Sequence, residues 1–145
     1  MADIIPPLPT KIHLQIVSAD RSLVNETVDE VEIPGADGYF GVLPGHTHLL
    51  AVLGAGELWY RQGQEKHYFV IVFGFAEVLP DRVTILATTA EKADEIDLAR
   101  AEAAKKRAEE RLSMSVVDMD AERARISLLK SLIRLQVATR AKIRS

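Results

Sequence analysis

After Pro80 the chain contains no glycine, no proline and no aromatic residue. All eight glycines fall between Gly35 and Gly74, all six prolines between Pro6 and Pro80, and all eight aromatic residues between Tyr39 and Phe75. Glycine and proline punctuate turns, and aromatic residues favour strands. The two sides of Pro80 must therefore be built differently, first from β-sheet and then from helix. Charge divides nearby: residues 1–90 carry 11 acids and 5 bases, residues 91–145 carry 10 acids and 13 bases.

Before Pro80, short apolar or alternating stretches rich in β-branched and aromatic residues recur at Lys11–Val17, Thr27–Ile33, Tyr39–Leu43, Leu49–Leu53, Glu57–Arg61, His67–Phe73 and Ala76–Leu79, and Val83–Ala87 follows. Turn residues separate them, at Ala19–Arg21, Pro34–Gly38, Pro44-Gly45, Gly54–Gly56, Gln62–Gln64 and Pro80-Asp81. Strands at such regular spacing predict an antiparallel β-sandwich over residues 1–88, with residues 1–10 as a loose proline-rich arm.

Residues 89–145 predict an antiparallel two-helix hairpin, giving an α+β protein in two parts. The first helix is expected over about 94–112, with Asp94 as N-cap and alanines carrying it by propensity. The second is expected over 119–142, capped by Asp118 or Asp120, after Ser113–Asp118 breaks the pattern. Its leucines and isoleucines cover a broad face, whereas the first helix offers mostly alanine. An alanine stripe buries little apolar area, so a weakly docked, movable hairpin is expected.

A net charge of −3 argues against a nucleic-acid partner. With no cysteine the core must hold itself without disulfides, and no apolar run is long enough to span a bilayer. There is no nucleophile elbow and no phosphate-binding glycine loop, so no catalytic residue is expected. His46 and His48, at i and i+2, would share one side of a strand and could hold a metal as in cupins. The cupin pattern then wants a carboxylate where Val52 and Leu53 stand; Glu57 follows too late, and His13 and His67 could serve only as remote ligands. The alternative is a Pro44-Gly45 turn with His46 bonded inside it.

On the first helix Asp97 and Arg100 are surface neighbours, with Arg107 two turns on; Arg123, Lys130 and Arg134 share a stripe on the second. Facing stripes would gather cations around an acid and accept a polyphosphate, since guanidinium groups bind phosphate oxygens in pairs. The alternative is an ordinary solvated face with weak i,i+3 and i,i+4 pairs.

At these residues the chain resembles the epsilon subunit of the rotary F-type ATP synthase. The likeness rests on the signature loop Gly38–Ala51, containing Leu43-Pro44-Gly45-His46, and on the strand pair Gly74–Val78 and Val83–Ala87. Ile96-Asp97 with Arg100-Ala101 is similar to the motif associated with ATP in bacterial members. The likeness spans roughly Ile12 to Val137. His48 stands where the family usually has proline, Phe73 where it often has glycine, and Lys130 where nucleotide-binding relatives tend to have arginine.

The resemblance implies a non-catalytic rotor subunit with no required cofactor, and makes Thr88–Ala93 the expected hinge between a fixed docking module and a movable hairpin. Its partners would be the gamma subunit, the ring of c subunits and, when the hairpin extends, the beta (and alpha) subunits. Arg123, Arg125, Lys130, Arg134 and Arg140 would then make the inhibitory contact with beta. ATP, as a regulatory ligand, would bind Glu91, Asp97, Arg100, Arg107, Lys130 and Arg134 in the folded hairpin. The implied location is the cytoplasmic face of a bacterial plasma membrane, reached only through the complex. A metalloenzyme built on His46 and His48, or a β-sandwich adaptor for another partner, are the competing readings.

Overall fold

A computed structural model describes residues 5–114 and 118–144. Among the described residues the strands are β1 (Ile12–Ser18), β2 (Ser22–Val28), β3 (Glu30–Gly35), β4 (Gly38–Val42), β5 (Leu49–Gln62), β6 (Glu65–Leu79) and β7 (Arg82–Lys92). A 3-10 turn at Ala93–Glu95 leads to helices α1 (Leu98–Ser113) and α2 (Asp118–Arg144). Residues 5–11 carry neither strand nor helix, and the first four residues of the expected arm lie outside the described residues.

The strands form one hydrogen-bonded sheet in the order β2-β1-β7-β6-β5-β3-β4. It folds over on itself. Ile12, Leu14, Ile16 and Val28 from one end share a single buried cluster with Val31, Ile33, Val42 and Leu58 from the other. Across the seam the Tyr60 hydroxyl donates to Glu26 at 3.3 Å and the Gln62 amide donates to the Thr27 carbonyl at 2.9 Å, laying the end of β5 against β2. Burial, followed by the neighbouring Glu26 carboxylate, pushes the Tyr60 phenol up to about 12, so it remains a neutral donor. The expected sandwich is present with one departure: β1 pairs parallel with β7, His13 opposite Arg82 through Ser18 opposite Ala87. A parallel pair needs a long connection, and the five intervening strands supply it.

Several strand boundaries differ from expectation. Leu49–Leu53 and Glu57–Arg61 are one strand, β5, and His67–Phe73 and Ala76–Leu79 are one strand, β6. The glycines between them mark close approach rather than chain reversal. A Cβ on Gly56 would collide with the Tyr39 hydroxyl, which accepts from the Glu57 N–H at 3.2 Å. In β6 the pairing skips from Leu53–Gly74 to Ala55–Val72, with Phe73 at φ 56° and Gly74 at φ 124°. A Cβ on Gly74 would strike the Leu86 carbonyl. The register is the same on both sides of this gap, so no residue is inserted and the backbone kinks locally at Phe73-Gly74.

The third difference is Thr27–Ile33, which breaks at Asp29 into β2 and β3. The Asp29 carboxylate accepts from Lys11, from the Gly63 N–H at 2.7 Å and from Arg61 at 3.5 Å, pinning that corner. Residues 22–26 escaped the sequence reading because Val24 and Val28 are the only buried residues of β2.

At the other end β7 stays paired with β6 to Lys92, beyond the expected boundary at Thr88. Most of the expected hinge Thr88–Ala93 is therefore strand, and regular pairing stops at the 3-10 turn. α1 begins at Leu98 rather than at 94. Its N-cap is Asp97, whose carboxylate accepts from the Arg100 N–H at 3.0 Å, and Asp94 lies in the preceding 3-10 turn. α2 starts at Asp118, so Asp120 is inside the helix rather than capping it. Residues 115–117 and the Asp118 side chain, which the other expected break and cap concern, lie outside the described residues.

The hairpin packs as its composition dictates. α1 buries only Ala101 and Ala108, seven residues apart. α2 buries Ala124, Ser131, Ile133, Val137 and Ala138, and the Ser131 hydroxyl donates back to the Ser127 carbonyl at 2.9 Å. Ile133 and Val137 rest on Val70 and Val72 of β6, with Ala55, Tyr68, Ala93 and Ile96 around them. The hairpin is thus folded onto the outer face of the sheet.

Candidate functional site

Where α1 begins, the middle of α2 passes the end of β7 and leaves a cleft of about 420 Å³. Its walls are Glu91, Glu95, Ile96, Asp97, Arg100, Ala101, Ala104, Arg107 and Arg134. Five of the six residues expected to bind a regulatory nucleotide meet here: Glu91, Asp97, Arg100, Arg107 and Arg134. Lys130 does not reach the cleft wall, because it sits one turn, about 6 Å, back along α2 from Arg134.

The chemistry of the walls is uneven. Arg134 donates through Nε and Nη2 to one oxygen of Glu91, at 2.7 and 2.5 Å, tying α2 to the last turn of sheet. Asp97 is engaged in capping α1. Glu95 is held by Arg21 at 2.6 Å, and that hydrogen bond keeps its carboxyl below the usual glutamate range. Arg100 and Arg107 are exposed and, among the described residues, make no ion pair. Two uncompensated guanidinium groups on α1 therefore face a third on α2. Such a set favours a multiply charged anion with several oxygens. The volume lies within the roughly 300–1,000 Å³ of small-molecule sites.

The other expected cations lie elsewhere. Arg123, Arg125 and Arg140 are exposed on α2, Arg125 pairing with Glu122 of its own helix at 3.2 Å. Lys130 is half-buried. The metal reading loses its premise, since Leu43–His48 is a loop and β5 begins only at Leu49. The Gly45 N–H donates to the Pro80 carbonyl at 2.7 Å, and His46 Nδ1 lies 2.7 Å from the Thr47 carbonyl oxygen. Among the described residues no three His, Cys, Asp or Glu side chains converge as a metal site would need. His13 is exposed on β1, and the His67 ring stacks on Tyr60 at 4.8 Å.

Two features went unread in the sequence. One is an outward-facing apolar row across four strands, Val17–Leu86–Phe75–Val52, each opposite the next. Leu86 and Phe75 are each 54% exposed, Val52 57%, and Leu50 beside them 72%. The available signal was that Leu49–Leu53 and Val70–Phe75 are apolar at nearly every position, not alternately, as a sheet covered on both faces requires. The other is the contact of Arg144 with Glu57 and Tyr68. Among the described residues no helix is long and apolar enough to cross a membrane.

Comparison with known proteins places these features in a family. Residues 11–93 match the family described as ATP synthase, Delta/Epsilon chain, beta-sandwich domain, and residues 94–139 match its long alpha-helix domain. The chain is 48% identical over 128 residues to the ATP synthase epsilon chain of Syntrophobacter fumaroxidans, covering 88% of this chain and 96% of that one. It is 50% identical over 103 residues to the ATP synthase epsilon chain of Koribacter versatilis, covering 71% and 72%. Among solved structures it superposes on a chain of the Euglena gracilis mitochondrial ATP synthase with a TM-score of 0.79 at 26% identity, over 95% of this chain and 84% of that one. A chain of the Tetrahymena thermophila mitochondrial enzyme shares the fold, with a TM-score of 0.62 at 14% identity over 91% and 99%. The chain belongs to the epsilon chains of the ATP synthase delta/epsilon family, non-catalytic subunits of that complex.

Proposed function

We propose that this chain is a central-stalk subunit of a proton-translocating F-type ATP synthase and that its hairpin regulates the complex through ATP. The sandwich docks to the gamma subunit and the c-subunit ring, helping to couple rotation to ATP synthesis. The apolar row Val17–Leu86–Phe75–Val52 supports a docking face, because side chains of that size left exposed together favour a protein partner. The solved assembly it resembles at 26% identity contains F1 and a c-ring, which supports those partners. Bacterial relatives support a position on the cytoplasmic side of the membrane, held there by the complex.

The observation that carries the regulatory reading is the cleft. Its walls come from β7, α1 and α2 together, so it exists only with the hairpin folded on the sheet. ATP bound between Arg100, Arg107 and Arg134, with Asp97 and Glu91 beside it, favours that folded state by linkage. Extended, α2 would carry Arg123, Arg125, Lys130, Arg134 and Arg140 to the beta and alpha subunits and inhibit hydrolysis. Moving a hairpin from 1:99 to 99:1 needs about 5.5 kcal/mol of differential binding. A ligand that must compete with Glu91 for Arg134 supplies less than three free guanidiniums would. ATP here therefore biases the equilibrium.

Isothermal titration of the isolated chain with ATP tests this. Saturable heat is expected from the parent chain, with affinity falling about tenfold or more in Arg100→Ala, which removes one charge-assisted contact. No heat from the parent chain would end the nucleotide reading.

A further inference from the structure

We propose that Glu57 and Arg144 form a latch that holds α2 on the sheet at the end remote from the nucleotide cleft. The inference rests on the reading that the hairpin can leave the sheet, and it adds a second, nucleotide-independent contact that governs when it does.

Glu57, Val70 and Glu91 stand directly opposite one another on β5, β6 and β7. The row lies under α2. Val70 takes the apolar contact of Ile133 and Val137, and each flanking carboxylate takes one arginine of the same helix. Glu91 receives Arg134, and Glu57 receives Arg144, whose Nη1 lies 3.3 and 3.4 Å from its two oxygens. Two strand spacings separate the acids by about 10 Å. Ten helical residues separate the arginines by about 15 Å. The helix therefore crosses the strands obliquely, and flexible arginine stems take up the difference.

Burial makes the outer pair more than a surface contact. Glu57 is only 8% exposed, and a carboxylate so far from water is costly without a counter-charge. Arg144 is the cation paired with it among the described residues, and its guanidinium carbon also sits 4.2 Å from the centre of the Tyr68 ring. Arg144 is thus held between a carboxylate and an aromatic face, an arrangement that restrains a side chain an ordinary exposed pair leaves free. None of Glu57, Tyr68 and Arg144 lines the nucleotide cleft. The latch and the cleft therefore act on one helix from two places.

The test is amide exchange over α2 in the full chain without nucleotide, comparing the parent with Glu57→Gln, Arg144→Gln and the double variant. Each single change is expected to speed exchange over Ser131–Lys142 about tenfold and to leave β1 and β3 unchanged. The double variant is expected to match the singles, since the second change removes a partner already lost. Unchanged exchange in Arg144→Gln, which lies at an exposed helix end and cannot unfold the sandwich, would overturn the latch. So would additive effects in the double variant. A chain that gives no heat with ATP yet responds to both substitutions keeps the latch and loses the nucleotide reading; the reverse pattern does the opposite.

Discussion

The sandwich and the hairpin are held by different kinds of contact. The sandwich buries large branched side chains from both ends of one sheet folded over on itself, among them Ile12, Leu14, Ile16, Ile33, Leu58, Ile71 and Ile85, all at 0% exposure. Burying one such side chain contributes roughly 1.5–3 kcal/mol. The hairpin offers two alanines from α1, a small apolar patch under Ile133 and Val137, and the ion pairs of Arg134 and Arg144 with the sheet. An alanine methyl contributes about 0.8 kcal/mol at most. A sheet folded over one such core is expected to fold or unfold as a unit, whereas the proposed switch requires the helix pair to detach and leave the sheet intact. The difference is what the proposed switch needs, one fixed surface and one movable one.

The comparison breaks most easily at its cores. Leu58→Ala is expected to cost the sandwich about 3 kcal/mol and to unfold sheet and hairpin together. Ile133→Ala is expected to cost about 2 kcal/mol, but only of hairpin docking, leaving the thermal transition of the sandwich in place. Equal loss of sheet structure in both variants, followed by circular dichroism on heating, would erase the distinction.

A smaller effect sharpens the picture of the docking face. Phe73 occupies a left-handed backbone conformation, which is strained for any side chain. Phe73→Gly is expected to stabilise the isolated chain by no more than about 1 kcal/mol, read as a raised melting temperature, because freer unfolded glycine offsets part of the relief. The same change removes a partly exposed ring beside the apolar row and should weaken assembly with the other subunits. Tighter assembly would show that Phe73 is not part of the docking face.

That the chain passes from sheet to helix was legible from where glycine, proline and aromatic residues stop, but the place was not: β7 runs from Arg82 to Lys92, so the sheet continues past Pro80. Strand continuity was not legible either, since a glycine reads alike in a turn and where two backbones meet: Gly54-Ala55-Gly56 lies inside β5, and Gly74 lies inside β6 against the Leu86 carbonyl. The departure at Phe73, where the family often has glycine, becomes intelligible once its positive φ is seen. Asp94 and Asp97 are both able to cap a helix, and only where β7 ends selects Asp97. In the cleft, the spacing of Asp97, Arg100 and Arg107 was readable, Glu91 came from the resemblance, and Lys130 fell one turn outside. Glu57 and Arg144 are 87 residues apart and leave no local signal; only the fold brings them together.

The central claim is that the sandwich is self-sufficient and the hairpin conditional. Native-state amide exchange of the full chain in increasing denaturant measures it directly. The amides of α1 and α2 are expected to open through a separate, lower free-energy transition, while those of β1, β6 and β7 exchange only on global unfolding. Equal protection throughout, merging at one opening free energy, would contradict it.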